Sequence, residues 1–100
     1  MQKNLKINPV RNLNMWYVYL LQSKKNGKWY IGSTKDMHKR ILTHNSGKNK
    51  STKYGIPWGI IYCEISLNKN DACAREKYLK SGMGRRYLKN RLKFFYAKDF

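Results

Sequence analysis

An α+β fold is what this sequence predicts: a small three-stranded, mostly antiparallel sheet flanked by helices, in the order β-β-α-β-α-α. Three observations carry that expectation. Two short aromatic and β-branched runs flank an Asn-Gly pair in "YVYLLQSKKNGKWYIGS", residues 17 to 33, the pattern of a hairpin. A third such run, "WGIIYCEI", stands by itself at 58–65. The stretches that follow the second and third runs set apolar residues at helical spacing behind capping residues.

Each element follows from its residues. "WYVYLLQ", 16–22, is apolar, aromatic and β-branched, the composition of a central strand. Alternation puts Tyr17, Tyr19 and Leu21 on one face and Trp16, Val18 and Leu20 on the other. Asn26-Gly27 suits the left-handed dihedrals of a tight turn, and "WYIG" returns as the second strand. In that register Leu21 or Gln22 pairs near Tyr30, which leaves Tyr19 and Tyr30 close but diagonal. "STKDMHKRILTHNSG" reads as a helix capped by Ser33, Thr34 or Asp36, with Met37 and Ile41 as its apolar stripe and Asn45 to Gly47 as its end. "KNKSTKYGIP" is a basic loop before the third strand. A second helix, capped by Asn70-Asp71, runs to about Ser81; "SGMG" breaks the chain before a last helix over about Arg85 to Phe95.

The compact domain is expected at 15–95, after a flexible basic leader at 1–14 and before a short tail at 96–100; Met15 marks an alternative start. One hundred residues, 41% apolar and 14% aromatic, form one modest core rather than two domains or a disordered tail. No apolar run approaches the ~20 residues of a membrane span. Cys63 and Cys73 lack CxxC spacing and read as free, mostly buried thiols of a reducing cytoplasm.

Charge narrows the partner. Twenty-two Lys and Arg face five Asp and Glu, a formal net charge of +17, and so large a surplus calls for a polyanion. Nucleic acid comes first. An acidic membrane comes second, weakened because no long basic amphipathic helix with a clean apolar stripe is present.

Three sets of residues resist a purely structural reading. Glu76 borders the buried stripe of its helix, with Ala72, Cys73 and Leu79 three or four residues away. A carboxylate left unpaired there is costly, so it needs a cation: a metal, or Arg75, Arg40 or a lysine. Arg40 and His44, four apart, share one helix face around Ile41. They are either a solvated basic face or an Arg and a His aimed at one phosphate. Tyr19 and Tyr30, singly, suit a core as well as an active site.

Together these residues resemble the GIY-YIG nuclease family. Tyr17-Val18-Tyr19 stands where the family has Gly-Ile-Tyr, and Tyr30-Ile31-Gly32 is its second triplet unchanged. Tyr30 follows Tyr19 by 11 residues, and Arg40 and His44 follow Tyr30 by 10 and 14. "AREKYLKS" matches the helix that carries the family's metal-binding glutamate, here Glu76. "WYVYLL" and "AREKYLKSGMGR" resemble the small stand-alone bacterial, excinuclease-C-like members in particular. Three positions depart from the pattern or vary within it. Tyr17 replaces the first glycine, Ser33 stands where the excinuclease C branch has lysine, and His44 where some members have tyrosine. Asn90 sits near an asparagine that many members carry after the glutamate.

The resemblance implies a Mg²⁺-dependent endonuclease, Mn²⁺ serving as substitute, that hydrolyses DNA phosphodiesters with little sequence preference in repair or recombination. Glu76 would hold a single ion, since the chain has too few acids for a two-metal clamp. One of Tyr19 and Tyr30 would activate water and the other orient the phosphate; the sequence leaves open which. A tyrosine base must fall well below its ordinary pKa of about 10, and Arg40, the basic site and the metal act in that direction. Arg40 would stabilise charge on the phosphorane oxygens. His44 would take the tyrosyl proton or touch the leaving group. Lys48, Lys50 and Lys53 in the loop, with Arg85, Arg86, Lys89, Arg91 and Lys93 on the last helix, would grip a DNA backbone without reading sequence. Branched, nicked or single-stranded DNA, or a targeting protein, would supply specificity, and RNA stays open as a substrate. The alternative is a basic DNA- or RNA-binding module that does not cut.

Overall fold

The computed structural model describes residues 14–97; the expected leader, apart from Asn14, and residues 98–100 lie outside the described residues. Strands β1 (Trp16–Ser23), β2 (Trp29–Thr34) and β3 (Trp58–Ser66) form one sheet in the order β2-β1-β3. Both pairings are antiparallel, so the sheet is wholly rather than mostly antiparallel. Helices α1 (Met37–Asn45), α2 (Lys69–Lys80), α3 (Gly82–Arg91) and a single turn, α4 (Lys93–Tyr96), complete the order.

The alternation of β1 decides the layers. Val18 and Leu20 enter a core with Ile31, Ala72, Leu79, Leu88 and Leu92, under α2 and α3. Tyr19 and Leu21 enter a second core with Trp58, against which Tyr30, Met37, Ile41 and Ile56 pack. Each buried Leu or Val contributes roughly 1.5–3 kcal/mol, so a sheet covered on both faces uses both halves of the β1 pattern. An irregularity between Leu20 and Leu21 leaves β3 one residue longer across the pair, and there Ile61 and Tyr62 both pack on the first core.

Several boundaries differ from the sequence expectation. Within this hairpin turn Gly27 is left-handed (φ 76°) and Asn26 is not, and the hairpin closes with Gly27 N–H on Ser23 O at 2.9 Å. The hydroxyl of Ser23 accepts from the amides of Lys25 and Asn26, which satisfies the turn without a two-residue link. Asp36, of the three candidates, caps α1 through Lys39 N–H. Asn68, not Asn70-Asp71, caps α2, and Asp71 falls in its first turn, where a carboxylate suits the helix dipole. The break expected at "SGMG" is confined to Ser81, whose backbone is extended between α2 and α3. Ser81 caps α3 through Gly84 N–H, and α3 starts at Gly82. The close turn demands Gly84, because a Cβ there would lie 2.0 Å from Tyr78 O.

Both cysteines are free but exposed, against the expectation of burial. Cys63 lies on an edge strand whose α1-side face is covered only near Trp58, so Ile60 and Ile65 are exposed beside it. Cys73 follows the buried Ala72 by one residue and so faces solvent. Among the described residues no helix is long and apolar enough to cross a membrane.

Candidate active site

Tyr19 is the hub of the candidate site. Its ring is 1% exposed, on the central strand, and it lies across Gly32 of β2. A Cβ at Gly32 would stand 2.5 Å from the Tyr19 hydroxyl oxygen and 2.7 Å from Cζ. The glycine of the second triplet is thus a clearance: it lets a phenol from the middle strand reach the sheet edge. Gly32→Ala is expected to lower stability by about 1–3 kcal/mol, the usual cost of overpacking. Thermal unfolding checks this, with melting lowered by about 4–8 °C for each kcal/mol.

The hydroxyl of Tyr19 meets two side chains of α1. His44 Nε2 is 3.0 Å away, and Arg40 Nη1 donates to it at 3.4 Å. A guanidinium only donates, so the phenolic proton is available to His44 Nε2. That assigns the ring proton of neutral His44 to Nδ1, which lies 2.9 Å from Thr52 Oγ1. Burial, then Arg40, holds the His44 pKa below its usual value, so the ring is neutral near pH 7. His44 is fully buried with both nitrogens bonded. It can accept the tyrosyl proton; contact with a leaving group, the other expectation, is closed to it in this conformation.

Burial also raises the Tyr19 pKa, and the opposing hydrogen bond and charge of Arg40 do not cancel it. Of the influences expected at Tyr19, Arg40 does act to lower the pKa, but burial outweighs it. The expectation weighed charge and missed the desolvation of a phenol on a central strand.

Tyr30 sits diagonally from Tyr19, as the Leu21–Tyr30 register requires, with ring centroids 6.4 Å apart. Its ring packs 4.9 Å from that of His44. Arg40, half-buried, forms no ion pair among the described residues. It lines a polar cleft of about 480 Å³ with Lys39, Thr43 and Asn49.

Glu76 approaches from α2, its side chain 22% exposed. Ser33 Oγ donates to Oε1 at 2.6 Å and Lys80 Nζ to Oε2 at 2.7 Å. Of the cations considered for Glu76, a lysine is the partner; Arg75 turns instead to Glu64 of β3, in a two-pronged pair at 2.8 and 2.9 Å. Burial raises the Glu76 pKa, but Lys80, Ser33 and Arg40 together outweigh it and hold the carboxyl below its usual range. The result is an ionised, half-buried carboxylate. No group of three metal-ligating side chains exists among the described residues. One hard oxygen donor suits Mg²⁺, which keeps most of its waters, and does not make a zinc or calcium cage.

The structure thus brings Tyr19, Tyr30, Ser33, Arg40, His44 and Glu76 around the open edge of β2. Asn90 is exposed on α3, between the buried Leu88 and Leu92, and its side chain bonds to none of them. Lys48, Lys50 and Lys53 are exposed in the loop after α1; Arg85, Arg86 and Lys89 are exposed on α3. Two participants were not singled out from sequence. Lys80, at i+4 from Glu76, carried a readable signal. Thr52 carried none: it reaches His44 because its carbonyl accepts from Trp58 Nε1 at 2.8 Å, and Asn45 is bonded to both the N–H and the carbonyl of Trp58.

The GIY-YIG catalytic domain matches residues 15–90. UPF0213 protein YazA of Bacillus subtilis is 41% identical over 68 residues, 67% of this chain and 68% of that protein. A UPF0213 protein of Streptococcus pneumoniae is 40% identical over 65 residues, 64% of this chain and 65% of that protein. UPF0213 protein SSP2268 of Staphylococcus saprophyticus is 36% identical over 74 residues, 73% and 89% of the two chains. This chain spans about two thirds of the length of the first two relatives, and none of these names states an activity. With the domain matched over three quarters of this chain, and the two tyrosine triplets on adjacent strands of one sheet, the chain belongs to the GIY-YIG nuclease family.

Proposed function

We propose that this protein is a divalent-metal-dependent endonuclease that hydrolyses DNA phosphodiesters with little sequence preference, of the kind used in repair or recombination. One observation carries the reading: the Tyr19 phenol is held between a neutral His44 and Arg40, with the ionised Glu76 close enough to act on its charge.

In this mechanism Tyr19 and His44 act as one base. The phenol oxygen takes a proton from the attacking water as its own proton passes to His44 Nε2, and Thr52 holds the imidazole in the accepting tautomer. Free tyrosinate is then not needed, which suits a phenol whose pKa is raised. Arg40 supplies donors to the phosphoryl oxygens as their charge grows. The Tyr30 hydroxyl orients the phosphate. Glu76 would hold Mg²⁺, or Mn²⁺ in its place, with Ser33 fixing the carboxylate; the ion when bound neutralises charge on the scissile phosphate. The lysines after α1 and the basic face of α3 hold the backbone, and target choice falls to DNA structure or a targeting partner.

A second reading has one observation in its favour. Lys80 already neutralises Glu76, as a purely structural ion pair would in a binding module for DNA or RNA that does not cut. Nicking of supercoiled plasmid at low salt, with Mg²⁺ against EDTA and with binding measured alongside, separates the two. Metal-dependent nicking is the expected result. Tight binding without cleavage under Mg²⁺ or Mn²⁺, on DNA or RNA, would leave the binding module standing.

A further inference from the structure

The hairpin end of β2 carries a cleft whose aromatic side chains the mechanism above does not use. It has a volume of about 820 Å³, within the range of sites for small ligands, and Trp29 and Tyr96 line it with Lys28, Arg85 and Lys89. No acid lines it.

The chemistry of Trp29 limits what the cleft can take. Its Nε1–H is shared between Tyr96 Oη at 2.9 Å and Gln22 Oε1 at 3.2 Å, and the Tyr96 hydroxyl donates to the same Gln22 oxygen. That network fixes the indole and uses up its one polar group, leaving only the π-face to offer. The guanidinium of the exposed Arg85 lies over that ring, 5.4 Å from its centroid. A fixed aromatic face among cations is the chemistry that takes a base together with its phosphate.

The cleft is also joined to the candidate site. A smaller cleft of about 260 Å³ shares Trp29 and Arg85 with it and is completed by Tyr30, Ile31 and Lys80, the partner of Glu76. Both run along β2, which pairs only with β1. From Gly32 to Trp29 the strand advances about 10 Å, at ~3.3 Å per residue, equal to about three steps of a stacked nucleotide strand.

We infer that this cleft is a stacking subsite for an unpaired nucleotide about three positions from the scissile phosphate. The substrate is then nucleic acid with single-stranded residues beside the cut, rather than continuous duplex. A duplex gives phosphates to Lys28, Arg85 and Lys89 but no base face to Trp29, because each base is covered by its neighbours. An unpaired base takes the indole face as Arg85 moves off it to a phosphate. This assignment rests on the proposed nuclease site, yet it can fail separately from it.

The test is binding in EDTA, where nothing is cut. A duplex carrying an oligothymidylate extension is compared with a blunt duplex of the same number of phosphates, at one salt concentration. The wild-type protein is expected to prefer the extended duplex by about tenfold, the effect of one stacked base. It is also expected to change the fluorescence of 2-aminopurine placed in the extension. Trp29→Ala brings the ratio of affinities near one, and Trp29→Phe restores it; a ratio is insensitive to a misfolded fraction. The inference is overturned by an absent preference, by one that survives Trp29→Ala, or by one that Trp29→Phe does not restore. Because cleavage is not read, a protein that never cuts can still show the preference, and a nuclease lacking it would overturn the subsite alone.

Discussion

Glu76→Gln is expected to cut roughly 10³-fold more slowly than the wild type in Mg²⁺, the several kcal/mol that a bound metal supplies. Glutamine keeps the shape of the side chain and can still accept from Ser33 Oγ. It loses the ion pair to Lys80, whose side chain is 53% exposed; such i,i+4 pairs contribute only about 0.3–0.5 kcal/mol, so the fold should hold. DNA binding should be as tight or tighter, since a negative charge beside the polyanion is removed. Plasmid nicking and equilibrium binding at one salt concentration read both effects. Cleavage within tenfold of wild type would mean that the carboxylate is the structural partner of Lys80 and that any metal is held elsewhere.

Tyr19→Phe is the second large effect, a loss of about 10²–10⁴-fold in cleavage, the range for a positioned acid–base group. Phenylalanine keeps the packing against Leu21 and Trp58 and the clearance over Gly32. It removes the hydroxyl between His44 and Arg40 and leaves a buried imidazole nitrogen without a partner, at a cost of about 1–3 kcal/mol. The pH profile separates catalysis from that structural cost. Since the His44 pKa lies below its ordinary value of about 6.5, wild-type activity should persist into mildly acidic solution and fall only as His44 protonates. In Tyr19→Phe that acid limb should vanish from the residual rate. Stability moves in the same direction. Below about pH 6.5 the unfolded chain binds a proton that buried His44 resists, so stability falls from there down to the depressed folded value and then levels. A residual rate that keeps the wild-type acid limb would remove His44 from the relay.

Most of the fold was legible because its signals are local. Alternation in β1 set the two faces, and the structure fills both as the pattern requires. The hairpin left Leu21 or Gln22 opposite Tyr30, and either placed the two tyrosines diagonally; the structure pairs Leu21 with Tyr30. Helix ends were less legible, since several residues at each end can cap equally well. Asn68 and Ser81 were chosen over their neighbours by how α2 and α3 pack against the sheet and each other. The cysteines failed for a related reason: the alternation that puts Cys63 on a face does not say whether a helix covers that face at the edge strand.

The sequence by itself determined the element types, the central place of β1, the polyanionic partner that its charge calls for, and the residue types of the site. All are functions of composition and short spacing. Only the tertiary structure decided the electrostatics. Desolvation depends on every neighbour in space, and at Tyr19 burial outweighs the lowering by Arg40. It likewise decided that Lys80 rather than Arg75 neutralises Glu76, since Arg75 is drawn across to Glu64 on β3. Thr52 joins His44 only because the loop folds back over Trp58, and a contact between residues brought together by a folded loop has no period along the chain.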